Sequence, residues 1–157
     1  MFNLFKKNNA LEIGSPINGK SIPIEDVKDP MFSQKMMGDG VAVVPSGNTF
    51  VAPCDGVVSA LFPSMHAYGI TAADGTEILV HIGMDTVNEN GNGFKSSTTQ
   101  GASVKKGDVI ISADMDYLTQ KYDMTTMVIV TSSKDKTIKE RNENQDVSAT
   151  DTLFVLK

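Results

Sequence analysis

The sequence predicts an all-β fold: an antiparallel β-sandwich or barrel with short helical turns. Two observations predict it. The apolar runs are short and rich in Val, Ile, Phe and Thr, and each is bounded by Gly, Pro, Asn or Asp. Many such runs at close spacing suit stacked antiparallel sheets rather than alternating βα units.

Taken in chain order, residues 1–14 read as a flexible tail. Phe2, Leu4 and Phe5 beside Lys6 and Lys7 offer at most a weak membrane contact, and a frayed terminus is the simpler reading. Residues 15–157 read as one domain. Its strands are Val41–Val44, Thr49–Ala52, Val57–Phe62, Ala67–Ile70, Glu77–Ile82, Val109–Ser112, Met127–Thr131 and Leu153–Leu156. Two helical interruptions are expected. Asp29 caps the first, Pro30 stands at its first position, and it runs to Met36 before Gly38. Asp114 caps the second, where Met115, Leu118 and Tyr122 follow helical spacing.

Composition narrows the chemistry. The chain has 157 residues, 14 Lys and Arg against 19 Asp and Glu, two His and one Cys. A single cysteine excludes a disulfide framework and any Cys-x-x-Cys site. Two histidines exclude a three-histidine zinc site. A net charge of −5 argues against nucleic acid and favours basic partner surfaces. The N-terminus has no long apolar stretch of the secretory type. With the lone Cys54, this fits a cytoplasmic protein, and Met1 beside a basic tail fits a free-standing one.

The two histidines flank a hairpin. His66 and His81 lie either side of Asp74-Gly75, a strong hairpin signal. A two-residue loop places Tyr68 opposite His81 and His66 opposite Gly83. The histidines then share one face as diagonal neighbours, with backbones about 7–8 Å apart. A three-residue loop through Ala73 would shift the register by one and separate them. Converging imidazoles suit phosphoryl transfer: one nitrogen is a nucleophile near neutral pH, and a second ring can donate to the developing charge. The plain alternative is two half-buried strand histidines with satisfied hydrogen bonds. A zinc hydrolase using His66, His81 and Asp85 lacks the further histidine such sites usually carry. A serine triad through Ser64 lacks a Gly-x-Ser-x-Gly elbow. Gln34–Met37 bears a faint likeness to the Met-Lys-Met of biotin carriers, Asn88–Phe94 reads as a polar loop, and Cys54 reads as a core-edge residue. No metal and no cofactor is expected.

Longer motifs carry a resemblance. Pro23–Val27, Asp29–Phe32, Met37–Gly40, Val51–Pro53 with Asp55-Gly56, His66-Ala67, Leu79–Val87 and Gly91–Phe94 together resemble the glucose-family IIA proteins of the bacterial phosphoenolpyruvate–sugar phosphotransferase system. The resemblance covers nearly all of residues 15–157. It implies an antiparallel β-sandwich that carries a phosphoryl group. The phosphocarrier protein HPr would donate to His81, and a IIB-domain cysteine would accept. His66 would stabilise the phosphoryl group, and the Gly83 carbonyl would orient the His81 ring. Ser64 stands where the family often has threonine, supporting His66 with a hydroxyl but without the methyl that restricts χ1. Met31, Phe32, Met36, Met37, Phe62 and Leu79 would form an apolar docking rim, with Asp29 and Asp85 meeting basic partner side chains. A regulatory module holding permeases or metabolic enzymes on the same face is the alternative role.

Overall fold

The structure, a computed structural model, describes residues 10–157. The aromatic and basic residues near the start of the chain lie outside the described residues. Among the described residues fourteen strands and two one-turn α-helices follow in chain order: β1 (Leu11–Gly14), β2 (Gly19–Pro23), α1 (Pro30–Ser33), β3 (Asp39–Pro45), β4 (Thr49–Val51), β5 (Gly56–Leu61), β6 (Ala67–Thr71), β7 (Glu77–His81), β8 (Phe94–Ser96), β9 (Ser103–Val104), β10 (Val109–Ala113), α2 (Met115–Leu118), β11 (Thr126–Ser132), β12 (Ile138–Arg141), β13 (Gln145–Val147) and β14 (Thr152–Leu156). Turns of 3₁₀ helix span Ile24–Asp26 and Thr86–Glu89.

An eight-stranded antiparallel sheet runs in the order β9-β5-β6-β7-β11-β3-β2-β13. Two three-stranded sheets, β4-β10-β8 and β12-β14-β1, complete the β-sandwich. The main core lies between them, where Val43, Val80 and Val128 of the large sheet meet Phe50, Ile111 and Phe154 of the small ones. Tyr68 is fully buried there, and its hydroxyl donates to the Val51 carbonyl at 2.7 Å, satisfying the one polar atom on a large apolar side chain.

β11 is apolar without alternation, Thr126-Met-Val-Ile-Val130, because both of its faces are covered. Val128 and Val130 face the main core. Met127 and Ile129 face a second, smaller core, made with Ala42 and with Ile24, Val27 and Phe32 from the segment before β3. That segment lies over the outer face of the large sheet, and its α1 turn is brought beside the end of β7.

Several expectations are corrected. Leu11–Gly14, assigned to the tail, is a strand paired with β14. The helix expected to reach Met36 ends at Ser33, with Lys35 in a left-handed conformation at φ 59°. The helix after Asp114 stops at Leu118, and only hydrogen-bonded turns continue to Tyr122. The hairpin loop holds three residues, not two: the Ala72 N–H donates to the Thr76 carbonyl, and Ala67, not Tyr68, stands opposite His81.

Candidate functional site

His81 is the last residue of β7, in the middle of the large sheet. Its register partners are Ala67 on β6 and Met127 on β11. On this register strict alternation would point His66 away from it. The two rings nevertheless meet, with centroids 5.0 Å apart at an interplanar angle of 81°. His66 lies just outside β6, after Met65, whose φ is 59°. The left-handed turn at Met65 breaks the alternation and swings the His66 ring to the His81 face. Convergence therefore comes from a turn, not from diagonal strand pairing.

Two aromatic rings flank the pair. Phe32 of α1 lies 4.9 Å from the His81 ring centroid, and Phe62 lies 5.5 Å from that of His66. The row Phe32–His81–His66–Phe62 fixes both imidazoles from the sides.

A hydrogen bond fixes the tautomer of His81. His81 Nδ1 is 2.9 Å from the Gly83 carbonyl oxygen, so Nδ1 carries the proton and Nε2 the lone pair. Gly83 presents that carbonyl from a backbone at φ 77°, and a Cβ there would meet the Thr86 methyl at 2.7 Å. The Ser64 hydroxyl lies 2.6 Å from His66 Nδ1. When the hydroxyl donates, Nε2–H of His66 is left as a donor. His66 is 5% exposed. Burial, with some repulsion from His81, pushes its pKa down to about 4. Burial also lowers that of His81, opposed by the Gly83 hydrogen bond and by the Asp29 and Asp85 carboxylates. Both rings are neutral near pH 7.

The expected rim divides. Met31, Met36, Met37 and Phe62 are exposed. Phe32 and Leu79 are buried instead: Phe32 is occupied by the second core and the His81 ring, and Leu79 lies on the outer face of the large sheet, opposite Ile129 of β11. Asp29 caps α1, accepting from the Met31 N–H at 3.0 Å. Asp85 is exposed at φ 62°, and among the described residues it joins no group of His, Cys, Asp or Glu able to hold a metal. Cys54 is buried in the main core and its thiol is pushed up to about 11, largely by that burial.

The residues 11–136 match the family described as phosphoenolpyruvate-dependent sugar phosphotransferase system, EIIA 1. The chain belongs to this family. Over 132 residues it is 39% identical to the glucose-specific EIIA component of Borreliella burgdorferi, covering 84% of this chain and 70% of that one. Over 125 residues it is 43% identical to the glucosamine-specific EIICBA component of Bacillus subtilis, covering 79% of this chain but 20% of that larger protein. Its fold matches the glucose permease IIA of Mycoplasma capricolum with a TM-score of 0.91 and 36% identity, covering 96% and 97% of the two chains. As an EIIA protein the chain is a phosphotransferase relay component, a phosphoryl carrier of the sugar phosphotransferase system. No helix among the described residues is long and apolar enough to cross a membrane.

Two site features escaped the sequence reading. Exposed Val87 lines a groove of about 410 Å³ with Phe62, Pro63, Ser64, His66 and Asn90. Glu89, in the stretch read as a polar loop, is buried; its carboxylate accepts from Tyr117 and Tyr122 hydroxyls at 2.5 Å and from Lys121 at 2.9 Å. Those three donors hold its pKa down to about 2. They also tie the 3₁₀ turn that follows Gly83 to the α2 region. An acid in an Asn/Gly run gives no signal of burial, and its partners come 28 to 33 residues later.

Proposed function

We propose that His81 accepts the phosphoryl group on Nε2 from the phosphohistidine of HPr and passes it to the cysteine of a IIB domain. In the first step the Nε2–P bond forms as the donor's N–P bond breaks. In the second an S–P bond forms and Nε2 regains its lone pair. The observation that carries this reading is the 2.9 Å contact from His81 Nδ1 to the Gly83 carbonyl, which leaves the lone pair on Nε2 free to take up phosphate.

His66 donates from Nε2–H to the phosphoryl oxygens, supported by Ser64 at Nδ1. A neutral donor suits this role, because it stabilises the bound group without holding it so firmly that onward transfer stalls. Met31, Met36, Met37, Phe62 and Val87 form the contact rim, and thioethers re-pack readily against successive partners. Asp29 and Asp85 meet basic side chains on those partners. Water excluded beneath the rim strengthens the donors and protects the N–P bond from hydrolysis. The cytoplasm is the compartment for this exchange, and the sugar permease bearing IIB is its recipient.

Incubation with phosphoenolpyruvate, enzyme I and HPr is expected to yield one acid-labile phosphate per chain, on His81. His66→Ala still accepts some phosphate but transfers it poorly onward. Normal uptake by His81→Ala would overturn the assignment of the acceptor, and normal sugar phosphorylation with His66→Ala would remove His66 from the relay.

A further inference from the structure

α1 lasts a single turn because Lys35 turns left-handed after it. The Lys35 N–H donates to the Phe32 carbonyl at 3.0 Å, and the Met36 N–H reaches back to the Met31 carbonyl at 3.1 Å. This is the pair of bonds that ends a helix where glycine usually stands. A lysine in that conformation is strained by its Cβ, so something must hold it.

Its side chain shows what does. Lys35 Nζ lies 3.1 Å from Glu25 Oε2 and 3.7 Å from Asp39 Oδ1. Pairing with Glu25 is the main reason the Lys35 pKa is raised. Asp39 Oδ2 is paired in turn with Arg141, whose other terminal nitrogen donates to the Gly40 carbonyl at 2.8 Å. Four charges thus join the first 3₁₀ turn, the segment after α1, β3 and β12. On the far side Gly38, at φ 137°, lies so close to β11 that a Cβ would stand 2.2 Å from the Val130 carbonyl oxygen. Between these two fixed points stand Met36, 70% exposed, and Met37. Unusual backbone conformations on both sides of an exposed apolar pair mark a segment held in place for contact rather than for packing.

We propose that Lys35 is a positioning residue for partner docking: its ammonium, held between Glu25 and Asp39, locks the left-handed cap that presents Met36 and Met37 to the phosphoryl donor. The inference rests on the reading of those methionines as partner contacts. Lys35 acts through the backbone that follows it and touches no reacting atom. Its loss therefore weakens encounter with the donor and leaves the chemistry at His81 intact.

The test is steady-state phosphoryl transfer from phospho-HPr to the full chain, with KM and kcat read separately and unfolding midpoints measured alongside. Lys35→Met and Glu25→Gln each raise KM about three- to tenfold, as expected for loss of a small ion-pair cluster, with kcat within about twofold of wild type. The double variant is no worse than Lys35→Met, because both remove one device. Lys35→Arg restores the wild-type KM. Lys35→Gly raises KM less than Lys35→Met does, since glycine accepts the left-handed backbone without a tether. An unchanged KM in Lys35→Met overturns the proposal. So do additive effects in the double variant, or equal effects of Gly and Met, which would mean that the ammonium touches the donor directly. Wild-type protein that takes up no phosphate on His81 overturns the underlying relay instead, a result distinct from all of these.

Discussion

Lowering the pH should destabilise this fold through His66 in particular. The imidazole is buried against His81, with its pKa pushed down to about 4 from the ordinary 6.5 by that burial and by the neighbouring ring. Between these two values the unfolded chain binds a proton that the folded chain refuses. Stability therefore falls as pH drops from about 6.5, and this contribution is fully lost near pH 4. The displacement corresponds to about 3 kcal/mol at most, a large part of the total for a domain of this size. Urea unfolding of wild type and His66→Gln, at about pH 7 and about pH 4.5, isolates it. Gln fills the space and does not titrate, while His81, also lowered by burial, and the carboxylates remain in both proteins. Wild type is expected to lose roughly 2–3 kcal/mol more than the variant over this range. Equal losses would refute the reasoning and show that His66 takes up its proton without unfolding.

Further perturbations probe the parts around it. Gly83→Ala forces a Cβ onto a backbone at φ 77°, against the Thr86 methyl at 2.7 Å and the Met124 sulfur at 2.9 Å. It should cost about 2–3 kcal/mol in urea unfolding and slow phosphate uptake by turning the carbonyl away from His81; unchanged uptake would show that this carbonyl does not orient the ring. Tyr68→Phe leaves the buried Val51 carbonyl without its donor at 2.7 Å and should lower stability by about 1–2 kcal/mol with no effect on transfer. The Cys54 thiol, buried and raised to about 11, should resist iodoacetamide at neutral pH until the chain is unfolded. Rapid labelling of native protein would mean that the core opens locally around it.

The strands that were legible in the sequence are those with two buried faces or a buried β-branched run, such as β11 and β7. Those that were not, β2 and β12 among them, carry exposed Lys and Glu toward the sheet edges, where apolar periodicity is lost. The histidine pair was visible from the motif around it, but its geometry was not. Asp74-Gly75 signals a two-residue turn, and only the closing bond from Ala72 to Thr76 reveals the third residue. The one-residue slip this causes is repaired at Met65, a residue whose side chain gives no hint of a left-handed backbone. Lys35 hides the end of α1 for the same reason: its strain is offset by charges that stand 10 residues before it and four after it. The resemblance makes Phe32 and Leu79 members of an apolar rim; their burial on the outer face of the sheet, where Phe32 joins a second small core, has no periodic signature.

The interior position of β7 in the large sheet, with β6 on one side and β11 on the other, has a kinetic consequence. Segments that open on their own are drawn from termini, loops and edges, while a strand hydrogen-bonded on both sides exchanges its amides only when the whole domain comes apart. His81, the proposed acceptor, is thus attached to the last part of the molecule to let go. The contacts proposed for partners, at the methionine segment and the Val87 turn, fall outside that strand. Heating the phosphorylated protein should accordingly release phosphate in step with global unfolding rather than ahead of it.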